Sequence, residues 1–408
     1  METVRPESVG LSSEQLAHVD RHLKENYVDP GKIPGCQVLV FRRGGLAHHS
    51  VLGKADLERG TAAAEDTIYR IYSMTKPITS VALMQLHEEA RFSLSDPVHR
   101  YIPEFRDLRV YEQGVYPHYV TVPCERPMTI RDLLTHQSGL TYGFMARTNV
   151  DAGYRKAGIG DKKRSATLEE MTTDLAALPL EFSPGTAWNY SVSTDVCGRL
   201  VEVLSGQSLD AYFRERILDP LGMADTGFSV PDADLPRFAA NYERRRNKTL
   251  RLVDDPLDSE YKEGVTLLSG GGGLVSTAAD YLRFCRMLLG GGTLDGTRIL
   301  GRKTLDLMTR NHLPDGRDLT ETSIGSFAET PYEGTGFGLG FSVILDTVRG
   351  QNVGTPGEFA WGGAASTVFW VDPVEDLTVV FLTQLMPSRT FDFRGQLKSI
   401  VYGALLND

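Results

Sequence analysis

Apolar residues near both ends of the chain predict strands accompanied by amphipathic helices. Residues 12–27 place apolar side chains on one face at helical spacing, after a serine suited to an N-cap. Residues 36–41 form a mostly apolar run, and the glycines of residues 43–45 then provide a hairpin turn. Toward the other end, the pattern predicts two strands and a closing helix over residues 366–371, 377–383 and 393–406.

The middle of the chain has a different pattern. Helical periodicity predominates there, and long stretches rich in glycine and proline separate the periodic segments. The predicted helices cover residues 74–90, 168–178, 193–204, 278–289 and 302–308. We therefore predict an α/β lobe formed by residues 1–70 and 330–408, with a mostly helical lobe, residues 71–329, inserted between its two parts.

The motif S-x-x-K stands where the first of these middle helices begins. Its members are Ser73 and Lys76, and Pro77 follows at a position where a missing backbone N–H costs little. Residues i and i+3 share one helix face, so we expect the hydroxyl and the ammonium to face each other. A serine hydroxyl becomes a good nucleophile when a neighbour takes its proton, and a helix N-terminus offers N–H groups to an oxyanion. Ser73 is therefore a candidate nucleophile, and a structural N-cap is the competing interpretation.

Two other motifs, a second S-x-x-K and a run of four glycines, are better explained as loops or turns than as parts of an active site. S-x-x-K occurs a second time at residues 259–262, among acidic residues and without an apolar helix behind it, which favours a solvated loop. Four consecutive glycines at residues 270–273 favour a flexible turn over a phosphate cradle, because no P-loop or G-x-G-x-x-G context surrounds them.

Two further segments carry groups that fit the chemistry of a serine nucleophile. Tyr190 stands just before a predicted helix, and a tyrosinate beside a lysine ammonium can accept the serine proton and pass it to a leaving group. Trp361-Gly362-Gly363 stands directly before a predicted strand, where glycines let a backbone approach a ligand closely. A strand edge at that point would supply a second oxyanion N–H, from Ala364.

The order and spacing of S-x-x-K, Y-S-x and W-G-G resemble those of the family VIII carboxylesterases. These enzymes are similar to class C β-lactamases and D-alanyl-D-alanine carboxypeptidases, within the serine penicillin-recognising superfamily. Residues 133–140 and 271–280 also resemble characteristic segments of that superfamily, so the likeness covers nearly the whole chain. The resemblance implies a β-lactamase-like α/β (α+β) fold, with an antiparallel sheet flanked by helices and an inserted helical lobe. The active site would then lie in the cleft between the lobes.

The resemblance also assigns roles to the residues that match the family motifs. It implies Ser73 as the nucleophile, Lys76 as its neighbour and Tyr190 as the general base. The backbone N–H groups of Ser73 and Ala364 would form the oxyanion hole. This mechanism requires no cofactor and no metal.

The chain departs from the lactamase pattern at two positions. Where β-lactamases and penicillin-binding proteins carry Y-x-N and K-T-G, this sequence has Tyr190-Ser191-Val192 and Trp361-Gly362-Gly363. An indole in place of lysine removes the partner of a substrate carboxylate, and Val192 offers no amide to an acylamino group. Both changes favour neutral, apolar esters. The residues expected to line the substrate pocket are Trp361, Gly362, Gly363, Val192 and Tyr142, and the predicted loops 109–126 and 142–164 would add Tyr116, Tyr119, Phe144 and Tyr154 at the border of the cleft.

The predicted function is a serine carboxylesterase that hydrolyses short- to medium-chain acyl esters through a covalent acyl-serine intermediate. Some esterases of this family also open cephalosporins, so weak β-lactam hydrolysis stays open beside ester hydrolysis. Three alternatives also stay open. They are a β-lactamase or D-Ala-D-Ala carboxypeptidase, an acyltransferase in which only the acceptor differs, and a non-hydrolytic sensor that acylates and stalls.

The partner implied by the resemblance is a small-molecule ester, and composition and charge argue against other classes of partner. The formal net charge of −10 argues against nucleic acid, which needs clustered Lys and Arg. The first residues lack the apolar core of a secretory signal and no long apolar run occurs, so we expect a cytoplasmic protein without a membrane span. A G-x-S-x-G elbow is absent from the sequence, and His18 and His22 stand at i, i+4 without an adjacent Glu. Neither an α/β-hydrolase nor a zinc hydrolase is favoured.

Overall fold

The computed structural model describes residues 1–160, 166–325 and 331–407. Its helices are α1 (Ser13–Leu23), α2 (Thr75–Glu88), α3 (Ile130–Leu134), α4 (Asn149–Ala157), α5 (Leu168–Ala176), α6 (Ser193–Ser205), α7 (Leu209–Phe213), α8 (Asp219–Leu221), α9 (Ala278–Leu289), α10 (Arg302–Met308), α11 (Leu319–Thr322) and α12 (Phe393–Tyr402). Its strands are β1 (Gly35–Arg42), β2 (Gly45–Gly53), β3 (Tyr69–Arg70), β4 (Arg109–Val115), β5 (His118–Pro123), β6 (Asn241–Arg244), β7 (Leu250–Asp254), β8 (Val275–Ser276), β9 (Thr293–Leu294), β10 (Thr297–Arg298), β11 (Thr335–Phe337), β12 (Ser342–Ile344), β13 (Phe359–Gly362), β14 (Val368–Asp372), β15 (Leu377–Thr383) and β16 (Leu385–Met386).

The main sheet has seven strands in the order β11-β12-β13-β14-β15-β1-β2. All its neighbouring strands are antiparallel. Strands from the two ends of the chain meet inside it, since Val38 of β1 lies opposite Phe381 of β15. The predicted fold class, an antiparallel sheet with flanking helices, is thus confirmed.

Alternate residues of the central strands point to two different cores. Val38 and Val379 belong to the core that α1 and α12 cover, whereas Leu39 and Val380 belong to the larger core beneath α9. By sequence α9 lies within residues 71–329, yet it packs on the sheet. The division into two lobes therefore remains a prediction, and its boundary at residues 329 and 330 lies outside the described residues.

The periodic segments identified in the sequence are present in the structure. Each predicted helix of the middle region coincides with a helix, α2, α5, α6, α9 or α10, and the predicted strands fall on β1, β14 and β15. The first predicted helix is divided into α1 and a π-helical turn over Lys24–Val28. The closing helix ends earlier than expected, at Tyr402.

The two long predicted loops are wrong in part. Residues 109–126 contain the hairpin β4–β5, and residues 142–164 contain α4, while residues 161–164 lie outside the described residues. Most residues of the hairpin are exposed on both faces. A hairpin without a buried face leaves no clear apolar alternation, which explains why the sequence pattern missed it.

The longest described helix, α2, has 14 residues. Within the described part of the chain, no helix is long and apolar enough to cross a membrane. Nor do the described residues group three or more His, Cys, Asp or Glu side chains in a way that could hold a metal ion.

Candidate active site

Ser73 lies in a 3₁₀ turn, Tyr72–Met74, that leads directly into α2. Pro77 falls in the first turn of that helix, where its missing N–H leaves little unpaired. The preceding Tyr72 has a φ of +43°, in the left-handed region that bulky side chains rarely occupy. Such backbone strain concentrates at functional sites. Ser73 itself is 8% exposed, so it is largely enclosed by protein.

The Ser73 hydroxyl stands between two groups able to handle protons. Tyr190 Oη donates to Ser73 Oγ at 2.6 Å, and Lys76 Nζ donates to the same oxygen at 3.2 Å. Lys76 and Tyr190 are each 1% exposed. Lys76 Nζ also lies 4.5 Å from the centroid of the Tyr190 ring. The structure therefore brings together the three residues that the sequence nominated.

The glycine run at residues 270–273 forms a turn, as expected, and hydrogen bonds from other parts of the chain hold its carbonyls. Its first three carbonyls each accept a hydrogen bond, two from side chains of α2 and one from Tyr261. Thr79 Oγ1 donates to Gly270 at 2.7 Å, and Lys76 Nζ donates to Gly271 at 2.6 Å. Tyr261 Oη donates to Gly272 at 3.1 Å. The glycine run thus presents main-chain carbonyls to the buried Lys76 ammonium. The sequence of four glycines does not predict this role.

Tyr190 is held by the segment that follows α3. The N–H of Asn189 donates to the carbonyl of His136 at 2.9 Å, and the N–H of Val192 donates to that of Thr141 at 3.2 Å. His136 is buried, and its ring lies 5.1 Å from that of Tyr190. Burial, with the Lys76 ammonium nearby, holds the pKa of His136 well below its usual value. This histidine is a neutral packing partner of Tyr190.

The W-G-G segment forms the end of β13, next to the turn that carries Ser73. The Trp361 indole is buried, 5.5 Å from the ring of Tyr190 and 5.4 Å from that of Phe337. A Cβ at Gly363 would collide with the carbonyl of Ile71. Glycine is thus required for β13 to approach the main chain just before Ser73. Gly362 meets a different neighbour, the Arg394 guanidinium.

Ala364 follows β13 in a turn closed by the hydrogen bond from Gly363 N–H to the carbonyl of Thr367, 2.8 Å long. Within the described residues, neither the N–H of Ala364 nor that of Ser73 donates to a protein acceptor. Two unpaired N–H groups at the ends of adjoining segments are what an oxyanion hole requires.

Tyr142 and Val192, the two other residues predicted to line the pocket, lie in different environments. Tyr142 is half-buried, its ring lies 5.2 Å from Lys76 Nζ, and it stacks on the exposed Phe144 at 4.6 Å. Tyr142 therefore forms a wall beside the buried ammonium. Val192 lies in the core, 1% exposed, at the N-cap of α6.

The remaining cleft aromatics pack on or around α4. Tyr119 donates to the carbonyl of Asn149 at 3.1 Å, and Tyr116 lies beside Gly153. Tyr154 is fully buried. Their expected place on the border of the cleft is wrong for Tyr154, because its side chain belongs to the core.

The second S-x-x-K motif lies in a buried network that sequence reasoning missed. Ser259 is 8% exposed, against the expectation of a solvated loop, and it accepts a hydrogen bond from Arg70 at 3.0 Å. Lys262 instead donates to the carbonyl of Leu257. The Arg70 guanidinium is fully buried, 2.5 Å from Asp254 and 3.9 Å from the Phe238 ring centroid. It anchors the strand that leads to Ser73.

Comparison with known families agrees with this geometry. The profile of the family described as Beta-lactamase matches residues 20–400. The chain belongs to the beta-lactamase family. It is thereby a member of the serine penicillin-recognising superfamily, as the S-x-x-K, Y-S-x and W-G-G motifs predicted.

Two relatives within this family cover most of the chain. Protein Rv1367c of Mycobacterium tuberculosis (strain ATCC 25618 / H37Rv) is 37% identical over 368 residues, which is 89% of each chain. Esterase EstB of Burkholderia gladioli is 32% identical over 397 residues, covering 92% of this chain and 91% of that one.

Solved structures of the family are similar over nearly the full length. EstCE1, described as a hydrolase with promiscuous acyltransferase activity, has a TM-score of 0.79 at 28% identity and covers 96% of this chain and 99% of its own. A simvastatin synthase mutant, LovD6 from Aspergillus terreus, has a TM-score of 0.80 at 25% identity, and the match covers 97% of this chain and 98% of the synthase. These relatives support a serine hydrolase or acyltransferase activity for the chain.

Proposed function

We propose that this protein is a serine carboxylesterase that hydrolyses neutral, short- to medium-chain acyl esters. The observation that carries the proposal is the Ser73 hydroxyl, bonded at 2.6 Å to Tyr190 Oη and at 3.2 Å to Lys76 Nζ. A nucleophile with a base beside it, and a third group orienting the base, is the usual arrangement for acyl transfer. The similarity to esterase EstB supports the same chemistry.

In the first half-reaction, Ser73 Oγ attacks the ester carbonyl carbon and its proton passes to Tyr190. An ammonium beside a phenol favours the phenolate, so Lys76 prepares Tyr190 to accept that proton. The N–H groups of Ser73 and Ala364 stabilise the oxyanion, and the alcohol leaves with the proton from Tyr190. In the second half-reaction, water attacks the acyl-serine with the same groups serving as base and acid. We also infer that this site lies in the cleft between the two predicted lobes.

The preference for neutral esters follows from the side chains around the catalytic groups. Trp361 stands where lactamases carry a lysine, and the buried indole offers no charge to a substrate carboxylate. Val192 stands where they carry an asparagine, and it offers no hydrogen bond. Tyr142 and the exposed Phe144 add aromatic surface beside Lys76, which suits an apolar acyl or alkyl group.

Acyl transfer to an alcohol is the second candidate function. It uses the same acyl-serine and differs only in the acceptor that attacks it. EstCE1 is a hydrolase with promiscuous acyltransferase activity and LovD is a simvastatin synthase, and both have this fold. Adding an alcohol acceptor to the hydrolysis assay separates the two, because transfer yields a new ester and hydrolysis yields free acid.

The decisive experiment is steady-state hydrolysis of a chromogenic acyl-ester series compared with nitrocefin. We expect ester turnover to exceed lactam turnover and to vanish in Ser73→Ala. Ser259→Ala is the matched control, since it removes the serine of the other S-x-x-K motif, and it is expected to retain ester turnover. Faster lactam turnover would place the protein with the β-lactamases, and single acylation without turnover would make it a sensor. Ester activity that survives in Ser73→Ala would refute the proposed site.

A further inference from the structure

A buried carboxylate lies behind the glycine run that contacts Lys76. Asp195 stands in the first turn of α6 and is 3% exposed. Its Oδ1 accepts a hydrogen bond from Ser269 Oγ at 2.5 Å and another from the N–H of Gly271 at 3.1 Å. Bonds from a hydroxyl and an amide to an ionised carboxylate are among the stronger hydrogen bonds in proteins. They tie the glycine run to α6.

Gly271 is the residue through which Asp195 reaches the catalytic groups. Its N–H is bonded to Asp195, and its carbonyl accepts from Lys76 Nζ at 2.6 Å. A Cβ at this position would lie 2.5 Å from Asp195 Oδ2 and 2.8 Å from Tyr142 Oη. Only glycine lets the main chain sit this close to the carboxylate. The position of the carbonyl therefore depends on the position of Asp195.

We propose that Asp195 is a positioning residue that sets the place of the Lys76 ammonium by holding the carbonyl of Gly271. The inference rests on the proposed function, because it deepens the role of Lys76 in that reaction. An ammonium directs its hydrogen bonds toward fixed acceptors, and a flexible lysine stem adopts one position only when such acceptors are fixed. When Gly271 is released, Lys76 Nζ leaves its place over Tyr190 and the phenolate loses its nearest positive charge.

The expected signature is a change in rate and in pH dependence rather than in substrate binding. Asp195→Ala should lower kcat by about tenfold or more, as loss of an outer-shell orienting group commonly does, with KM nearly unchanged. The acid limb of kcat/KM should move to higher pH, since Tyr190 then needs a higher pH to act as base. Among the described residues, Tyr142 and His136 also lie beside Lys76 or Tyr190, and burial holds the pKa of His136 well below its usual value.

Asp195→Asn separates positioning from charge. The amide keeps an oxygen for the bonds from Ser269 and Gly271, so this conservative variant should recover most of the rate lost in Asp195→Ala. Ser269→Ala removes one of the two bonds and should give a smaller change in the same direction. Should Asp195→Ala fail to fold, these two variants carry the test.

Asp280 provides a matched control because it has the same place in α9 that Asp195 has in α6. It is buried and accepts one main-chain N–H, from Asp225 at 2.8 Å, and one hydroxyl, from Thr226 at 2.9 Å. Asp280→Ala should therefore leave kcat and its pH profile unchanged.

The variants are compared by ester hydrolysis and by the rate at which a fluorophosphonate labels Ser73. An Asp195→Ala protein with wild-type kcat and pH profile would overturn the proposal, and so would an Asp195→Asn protein as impaired as Asp195→Ala. If the wild type is labelled but hydrolyses no ester, the proposed function fails. The ratio of labelling rates between Asp195→Ala and wild type then still decides the positioning role.

Discussion

Replacing Tyr190 with phenylalanine removes one oxygen atom from the site and little else. The lost hydroxyl donates to Ser73 Oγ at 2.6 Å. The ring remains for its contacts with His136 at 5.1 Å and Trp361 at 5.5 Å. It also remains beneath Lys76 Nζ, 4.5 Å from its centroid. Tyr190→Phe therefore isolates the proton-handling role of the residue from its packing.

The size of the effect follows from the two roles of the hydroxyl. A positioned acid or base contributes about 10²–10⁴-fold to a rate, so kcat/KM should fall by that factor, or about 3–5 kcal/mol. One lost hydrogen bond costs about 1 kcal/mol of stability, which in a chain of this size lowers Tm by no more than about 2 °C. Activity should thus fall far more than stability does.

The assay is hydrolysis of a p-nitrophenyl ester, normalised to folded protein by thermal unfolding. Tyr212→Phe is the control, because Tyr212 is also buried and its hydroxyl has no hydrogen-bond partner among the described residues. The control should keep wild-type activity. The reasoning is refuted if Tyr190→Phe keeps kcat/KM within tenfold of the wild type while Ser73 remains essential.

Two further predictions concern stability. Arg70→Met should lower the free energy of unfolding in urea by about 3 kcal/mol, because it removes a fully buried guanidinium and leaves Asp254, 16% exposed, without its ion pair. Arg251→Met, which removes an exposed pair, should cost less than about 1 kcal/mol, and equal losses would contradict this account. Burial raises the pKa of Asp280 to about 6 from an ordinary 3.8, so its carboxyl is protonated more readily in the folded than in the unfolded chain. Its contribution to stability is present below about pH 4 and lost as pH rises to about 6, so Asp280→Asn should flatten that part of the stability profile measured by urea unfolding.

Local patterns in the sequence were sufficient for the elements whose information is local. Apolar runs predict the central strands. The i, i+3 spacing of Ser73 and Lys76 predicts that their side chains share one face of a helical turn. The contact between Tyr190 and Ser73 could not be predicted from a local pattern. It depends on contacts between distant segments, and only the resemblance to a known family placed the two residues together.

The features that the sequence did not predict depend either on contacts with distant parts of the chain or on the absence of a hydrophobic pattern. Four glycines look the same whether they form a loose turn or a run of anchored carbonyls, since what fixes residues 270–273 lies on α2 and α6. A buried guanidinium such as that of Arg70 carries no sequence signal, because its partners come from elsewhere in the chain. The β4–β5 hairpin lacks a buried face, so hydrophobic pattern could not mark it.

The separation of α2 from α6 connects the packing of this protein to its chemistry. Lys76 lies in the first turn of α2, Ser73 lies in the turn just before it, and α6 begins just after Tyr190. We therefore expect the distance between the two helices to decide whether the three groups meet. Gly270 fits between them where a Cβ would lie 2.7 Å from the carbonyl of Thr194 and 3.3 Å from the Cα of Gly198. A Cβ at Gly270 would also lie 3.0 Å from Thr79 of α2, so we expect a side chain there to push the two helices apart and draw Tyr190 away from Ser73. We therefore expect Gly270 to control the contact between Tyr190 and Ser73 through the spacing of the two helices.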